Sequence, residues 1–249
     1  MGMKDAMAVI EKRGELYKGK AKTMYATDDA SHLIMHYRDD VSAFDGAKLA
    51  KLDLKGETNN KINAYVMGKL AAAGVPTHFV RMLNERESLV KAMTMIPVEC
   101  VVRNVCAGSM AKRYGIAEGT QLAEPIFEFF LKSDALHDPL CNDDHIRVLG
   151  WATVAEIAQM KSLTHRVNAV LKPLFAAAGI DLVDYKLEFG HPTDDPAGEL
   201  VLGDEFTPDG CRLWDAKSGE KLDKDRFRRD LGTVIERYRE VATRIGAPL

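Results

Sequence analysis

The sequence predicts an α+β fold, with strands crowding its first half and helices its second. Short runs rich in β-branched and aromatic residues at 15–26, 32–38, 77–83 and 86–92 are separated by turn-forming residues. Thr153 with Glu156 makes a capping box before a long amphipathic run that ends at Gly179. That segregation favours two lobes joined near Met93–Val98.

Taken in order, residues 15–26 (ELYKGKAKTMYA) read as one strand, Thr27 to Ser31 as a turn, and 32–38 as the returning strand of a hairpin. Residues 57–73 read as a helix stopped by Gly74 and Pro76. Short strands follow at 77–83 and 86–92, and Pro97 precedes a β-rich run from Val98 to Cys106. Ser109 is placed to cap a short helix through Tyr114, ended by Gly115. The stretch 120–150, with Pro125, His137-Asp138-Pro139 and Asn142-Asp143-Asp144, reads as loop. Residues 180–189 read as a strand and 199–206 as its hairpin partner. Asp223 is placed to cap a last helix running to about Ile245.

Composition narrows the function classes. The 249 residues are 46% hydrophobic and 29% charged with a formal net charge of −3, an ordinary globular balance without the basic surplus that nucleic acid calls for. Cys100, Cys106, Cys141 and Cys211 form no CxxC pair, so neither a disulfide framework nor a zinc ribbon is expected, and a reducing compartment is. No apolar run reaches the roughly 18 residues of a membrane-spanning helix. The opening Met-Gly-Met-Lys-Asp-Ala lacks a signal-peptide core, and Ala6 stands where myristoylation wants Ser or Thr. These features together point to a cytoplasmic protein. HxH, HExxH, GxSxG, Walker A and helix-opening GxGxxG motifs are all missing, so an ATP site would be of another kind.

Several clusters carry possible chemistry. Lys18, Lys20 and Lys22 fall at period two, which on a single strand puts three ammonium groups on one face, with Gly19 allowing close approach of a ligand. A lysine-guarded edge strand is the first reading and an anion site the second. Asp40-Val-Ser-Ala-Phe-Asp45-Gly46 is a tight polar loop with turn chemistry at its end. Glu99 and Arg103 share a face of an apolar strand, where each needs a partner. They pair with each other, or Arg103 offers its fork to a carboxylate or phosphate beside Gly108-Ser109. Asp184, Lys186 and Glu188 share one face of the 180–189 strand; Glu188 and Asp204 approach if the hairpin forms. Two close carboxylates need a proton, a lysine or a cation between them, and Mg2+ held with a phosphate is the natural occupant against a plain salt-bridge ladder. Arg212 beside Trp214-Asp215, and Lys224 to Arg229 in the first turns of a helix, are placed to meet an anion or to form an ordinary charged face.

These pieces occur together and in order in one family. Leu16-Tyr-Lys-Gly-Lys-Ala-Lys22, Ser42-Ala-Phe-Asp-Gly46, Pro97-Val-Glu-Cys-Val-Val-Arg-Asn104, Ala107-Gly-Ser109, Lys186-Leu-Glu-Phe189 and Asp204-Glu-Phe-Thr-Pro-Asp209 with Arg212-Leu-Trp-Asp215 resemble SAICAR synthase. The resemblance runs from about residue 15 to the final helix. It implies a two-lobed α+β fold: an N-terminal antiparallel-sheet lobe over 1–95 and an ATP-grasp-like lobe over 96–249. It implies a ligase that joins L-aspartate to the carboxylate of carboxyaminoimidazole ribotide (CAIR), through an acyl phosphate made from ATP.

Carried onto this sequence, the resemblance makes Lys20 and Lys22 phosphate contacts, Glu188 and Asp204 the Mg2+ and ATP-phosphate carboxylates, and Met95 part of the adenine connector. Arg103, Ser109 and Arg212, with Lys224 and Arg228, become the ribotide site. Asp45 lies near the reacting groups, and Asp134 and His137-Asp138-Pro139 belong to a mobile loop over the substrates, with Lys132 just before it. Lys20, Asp45, Arg103 and Lys132 are the expected catalytic set. Bacterial members are commonly homodimers. One departure is visible: Gly190 to Gly198 is longer than the compact hairpin turn expected. A small-molecule kinase on a related fold is the competing reading; a non-catalytic nucleotide-binding protein is less consistent with the retention of Lys20, Lys22, Glu188 and Asp204.

Overall fold

The computed structural model of the protein describes residues 10–44 and 46–249; residues 1–9 and Asp45 lie outside the described residues. The first lobe opens with β1 (Lys12–Lys18), β2 (Lys22–Thr27) and β3 (His32–Tyr37). A small hairpin, β4 (Asp40–Ala43) and β5 (Lys48–Lys51), leads into α1 (Lys55–Ala72). Then β6 (Phe79–Asn84) and β7 (Glu87–Lys91) complete an antiparallel sheet in the order β1-β2-β3-β7-β6.

The second lobe begins at β8 (Met93–Val105) and continues through α2 (Gly108–Tyr114), β9 (Gln121–Leu131), a 3-10 turn (Asp134–Leu136), β10 (Leu140–Cys141) and α3 (Asp143–Val148). It ends with α4 (Val154–Ala177), β11 (Ile180–Pro192), β12 (Val201–Gly203), β13 (Cys211–Asp215), α5 (Asp225–Arg228) and α6 (Val234–Ile245). Its sheet runs β10-β9-β8-β11-β12, and β13 shares the β12 edge of β11. Ile180–Tyr185 of β11 pair with β13, whereas Glu188–Gly190 pair with β12. The loop between those two edge strands, residues 204–210, therefore emerges halfway along β11.

Side-chain alternation decides what faces where. Val98, Cys100 and Val102 of β8, and Tyr185, Leu187 and Phe189 of β11, join the main core. Ile62, Val66, Met67 and Leu70 of α1 and Leu163, Val167 and Leu171 of α4 join it from the helices. Each such fully buried side chain stabilises the fold by roughly 1.5–3 kcal/mol. The alternate residues Glu99, Val101 and Arg103, and Asp184, Lys186 and Glu188, line a cleft on the opposite face. α4 starts as the sequence predicts: the Glu156 N–H donates to the Thr153 hydroxyl at 3.2 Å, and the Glu156 carboxylate accepts from the Thr153 N–H at 2.6 Å.

Four local expectations are corrected. Residues 15–26 form a hairpin, not one strand: the chain reverses at 19–21, where the Gly19 N–H donates to the Lys22 carbonyl at 2.8 Å. Arg38 closes the turn by donating to the carbonyls of Gly19 and Lys20 at 2.7 and 3.2 Å. Lys18, Lys20 and Lys22 thus do not share a strand face. Residues 121–131, expected as loop, are strand β9; Pro125 is tolerated because a register break opposite Arg103–Val105 leaves that part of β9 without ladder partners. Ala107, not Ser109, is the N-cap of α2. The last helix is two, α5 and α6, because Asp230, Gly232 and Thr233 all take left-handed backbone between them. Asp223 accepts from the N–H groups of Asp225 and Leu213 at 2.7 and 2.8 Å, just before α5, whose N-cap is Lys224.

Candidate active site

A cleft of about 740 Å3 lies between the two sheets. Lys20, Lys22, Met95, Arg103, Ser109, Lys132, Asp138, Glu188, Asp204, Arg212, Lys224 and Arg228 all line it. Asp45 lies outside the described residues; Lys48 of β5 donates to the Phe227 carbonyl and to Asp230, both at 2.6 Å, on either side of the cleft-lining Arg228.

At one end the wall is apolar. Met24, Leu33, Met35 and Val90 of the first sheet line the cleft together with Met93 and Met95 of β8. Gly203 makes room for this wall, since a Cβ there would stand 2.9 Å from the Met95 Cε and 3.1 Å from its sulfur.

The middle of the cleft interleaves ammonium and carboxylate groups. Register puts Glu188 opposite Glu99 on one side and Gly203 on the other. Two facing glutamates repel, and Lys186 resolves this by pairing with Glu188 and, at 3.0 Å, with Glu99, while reaching Asp204 at 3.6 Å. Asp204 follows the end of β12 in left-handed backbone, φ 54°, and pairs with Lys22. Strain of this kind is tolerated by aspartate and clusters at functional sites. Lys22 also meets Glu205 at 3.1 Å, and Lys132 pairs with Glu188. Lys20, exposed in the hairpin turn, reaches Asp134 at 2.7 Å.

The protonation states follow from this packing. Burial opposes the charged form of Lys22, but Asp204 and Glu205 outweigh it and hold the ammonium above its ordinary range. Burial likewise opposes the Asp204 carboxylate, and Lys22 and Lys186 outweigh it, so it stays well below the usual carboxylate range. Glu205 goes the other way: burial dominates and raises it, with Asp204 adding to the shift against Lys22.

The other end is built of arginines. Arg103 is almost fully buried, and its fork donates to Glu128 at 3.0 Å, Asp184 at 2.8 Å and the Ser109 hydroxyl at 3.0 Å. Arg212 donates to the same Asp184 oxygen at 2.8 Å and to Asp225 at 2.9 Å, and Arg228 also reaches Asp225, at 2.6 Å. Fixed guanidinium forks suit a phosphate or carboxylate. Gly108 sits in left-handed backbone, φ +56°, against the Arg212 guanidinium, where a side chain would collide. Lys224 is desolvated, which lowers its pKa; Asp209 opposes the shift. Asp209 is held by the buried Lys55, by Asn59 at 2.9 Å and by the Tyr238 hydroxyl at 2.9 Å. The Asp138 carboxylate accepts the Ser133 N–H at 2.8 Å and fixes the loop after Lys132.

Sequence reasoning did not single out Glu205, Asp209 or His78 for the site. The first two lie inside the Asp204–Asp209 stretch already noted; His78 carried no signal. Among the described residues, no group of three or more His, Cys, Asp or Glu side chains is arranged for a metal. Glu188 and Asp204 are two carboxylates flanked by lysines, a donor set that suits a hard cation completing its shell with phosphate oxygens and water.

The profile of the SAICAR synthetase family matches residues 15–245. The phosphoribosylaminoimidazole-succinocarboxamide synthase of Hahella chejuensis is 61% identical over 237 residues, 95% of this chain and 99% of that one. The crystal structure of the synthase of the same name from Ehrlichia chaffeensis superposes with a TM-score of 0.93 at 45% identity, covering 95% of this chain and 100% of that one. A SAICAR synthetase in complex with ADP superposes with a TM-score of 0.89 at 44% identity, covering 93% and 97%.

Proposed function

The chain belongs to the SAICAR synthetase family, and we propose that its cleft joins L-aspartate to the carboxylate of CAIR through an acyl phosphate formed from ATP. The enzyme is an ATP-dependent carbon–nitrogen ligase of purine biosynthesis. The observation that carries the assignment of parts is the gathering of an apolar wall, a lysine–carboxylate cluster and a set of fixed arginines in one cleft.

In this reading adenine lies against Met95 and the apolar wall; the relative solved with ADP supports a nucleotide in the cleft. Lys20 and Lys22 contact the phosphates. Glu188 and Asp204 hold Mg2+, which when bound offsets phosphate charge. Arg103, Ser109 and Arg212, with Lys224 and Arg228, take the phosphate and carboxylate of the ribotide.

A carboxylate is a poor electrophile, and phosphorylation gives it a leaving group. Catalysis is then mostly positioning and charge neutralisation. Lys132 sits where it can offset charge on the transferring group, and Asp138 orders the loop that follows it. Asp45 is assigned to the neighbourhood of the reacting groups. Excluding water protects an acyl phosphate from hydrolysis, which is a use for a loop at 132–138. A homodimer resident in the cytoplasm is part of the same proposal, its assembly measurable by sedimentation.

The test is ADP release with Mg2+-ATP and CAIR, with and without L-aspartate, read beside the product mass. Aspartate-dependent ADP and an amide product heavier by the aspartyl unit are expected. ADP release without aspartate, leaving a stable phosphorylated product, would make the enzyme a kinase instead.

A further inference from the structure

Asp184 stands at the centre of a row that crosses three strands. On β11 it lies opposite Arg103 of β8 on one side and Arg212 of β13 on the other. A bulge sets this row. Between the pairs Leu182–Leu213 and Asp184–Arg212 the ladder advances two residues on β11 for one on β13. Leu182 and Leu213 belong to the main core, so strict alternation from Leu182 would turn Asp184 to the core as well. The extra residue, Val183, brings Asp184 to the cleft beside Arg103 and Arg212 instead.

Both arginines donate from Nη1 to the same Oδ2 oxygen of Asp184, each at 2.8 Å. The far sides of the two forks are held too, Arg103 by Glu128 and the Ser109 hydroxyl, and Arg212 by Asp225. Asp184 is buried, so water does not stand in for it. Two guanidinium groups this close repel unless an anion sits between them. With the carboxylate in place they converge before any ligand arrives, and preorganisation of that kind lowers the cost of binding.

We infer that Asp184 is a positioning residue for the ligase reaction: its single shared oxygen fixes the spacing of the Arg103 and Arg212 forks so that both meet the same anionic group of the ribotide. The inference rests on the placement of the ribotide at the arginine end of the cleft. A plain charge-balancing role makes a different prediction, because it asks for a negative charge and not for a position.

The experiment separates position from charge with two variants. Asp184→Glu keeps the charge and moves the carboxylate by about 1.5 Å, the length of one added carbon–carbon bond. Asp184→Asn keeps an oxygen in place and removes the charge. Steady-state kinetics with each substrate varied give KM and kcat, and calorimetry gives ADP affinity. Asp184→Glu is expected to raise KM for CAIR roughly 10- to 100-fold, the loss of one hydrogen bond to a charged group, with ADP affinity unchanged. Asp184→Asn is expected to stay within about threefold of wild type. An Asp184→Asn variant impaired as much as Asp184→Glu overturns the inference. So does an unchanged KM for CAIR in Asp184→Glu, or an equal loss of ADP affinity there.

Arg212→Lys, which keeps the charge and loses the fork, tests the reading beneath. If KM for CAIR is unchanged in that variant, the ribotide placement falls and the inference with it. If it rises while Asp184→Glu matches wild type, only the role of Asp184 falls. If Asp184→Glu fails to fold, wild-type protein labelled with 15N-arginine decides. The Arg212 guanidinium N–H signals, identified by their loss in Arg212→Lys, are expected to be sharp before CAIR is added. Signals that sharpen only with CAIR would mean that the ligand, and not Asp184, holds the fork.

Discussion

Gly108→Ala isolates the link between backbone and anion site. Gly108 lies at φ +56°, so any side chain there costs about 1–2 kcal/mol before it touches anything. The new methyl would also stand 2.5 Å from Cζ and 2.6 Å from Nη1 of Arg212. Relief to ordinary van der Waals contact means moving the guanidinium by about 1 Å. Arg212 holds Asp184 at 2.8 Å and Asp225 at 2.9 Å, so that shift breaks at least one bond to a charged group, worth about 1.5–3 kcal/mol. The expected loss of stability is roughly 2.5–5 kcal/mol, or about 5–20 °C in melting temperature for a chain this size. The expected rise in KM for CAIR is roughly 10- to 100-fold, with KM for ATP nearly unchanged. Gly115→Ala is the control, because Gly115 has φ +65° and nothing stands within 4 Å of where its methyl would go, so it bears the backbone cost alone. Thermal melting and steady-state kinetics with each substrate varied separately read both effects. If the two variants match in stability and in KM for CAIR, Gly108 does not position Arg212.

Two further predictions concern charge. Glu188→Gln and Asp204→Asn should each lower kcat/KM for ATP at least about tenfold at limiting Mg2+, the loss of about 1.4 kcal/mol of transition-state stabilisation; unchanged turnover there would remove that residue from the metal site. Lys55→Met leaves Asp209 buried without its ammonium partner and should cost about 3–5 kcal/mol in urea unfolding. Burial opposes the Asp209 carboxylate, but Lys55 and Lys224 outweigh it and hold it well below its ordinary range. A depressed carboxylate contributes stability above its unfolded pKa of about 4 that is lost as pH falls toward its folded value. The stability gap between wild type and Lys55→Met should therefore narrow below about pH 4; a gap that stays constant to pH 3 would show that the pair is not what the variant loses.

What could be read from the sequence follows the range over which each signal acts. Alternation along β11 needs only local backbone geometry, so Asp184, Lys186 and Glu188 were legible as one face, and hairpin pairing brought Asp204 beside them. A helix over 57–73 was equally plain, since Gly74 and Pro76 mark its end; it forms as the 18 residues Lys55 to Ala72 of α1. The turn at 19–21 was not legible because Arg38, distant in sequence, satisfies its carbonyls. Lys20 and Lys22 nevertheless reach the cleft, one from the turn and one from the start of β2. β9 was hidden by Pro125, whose bulge is permitted only by the register of its neighbour. Asp209 looks like an ordinary loop aspartate until α1 and α6 bring Lys55, Asn59 and Tyr238 around it.

The interleaving of charges constrains how nucleotide and cation enter the proposed site. Lys22 is shared by Asp204 and Glu205, Lys132 serves Glu188, and Lys186 serves Glu99, Glu188 and Asp204. A polyphosphate arriving alone competes for these ammonium groups and draws them from the carboxylates. Glu188, whose side chain is 2% exposed, would then be a buried anion with its partners diverted, which costs several kcal/mol. If Glu188 and Asp204 hold the cation as proposed, a divalent cation arriving with the phosphates would re-pair them. A cation arriving alone instead meets carboxylates already neutralised by lysine. Each ligand is therefore expected to strengthen binding of the other, by the same factor in both directions and by at least about fivefold, at the lower end of ordinary coupling energies. Calorimetry of ADP binding across a Mg2+ series, corrected for Mg2+-ADP formation in solution, measures the factor without turnover. Glu188→Gln should reduce it, because the variant has no charge left to re-pair. A corrected factor near one in wild type, or one untouched by Glu188→Gln, would mean that the lysines alone satisfy the phosphates and that Glu188 and Asp204 only hold the lysines in place.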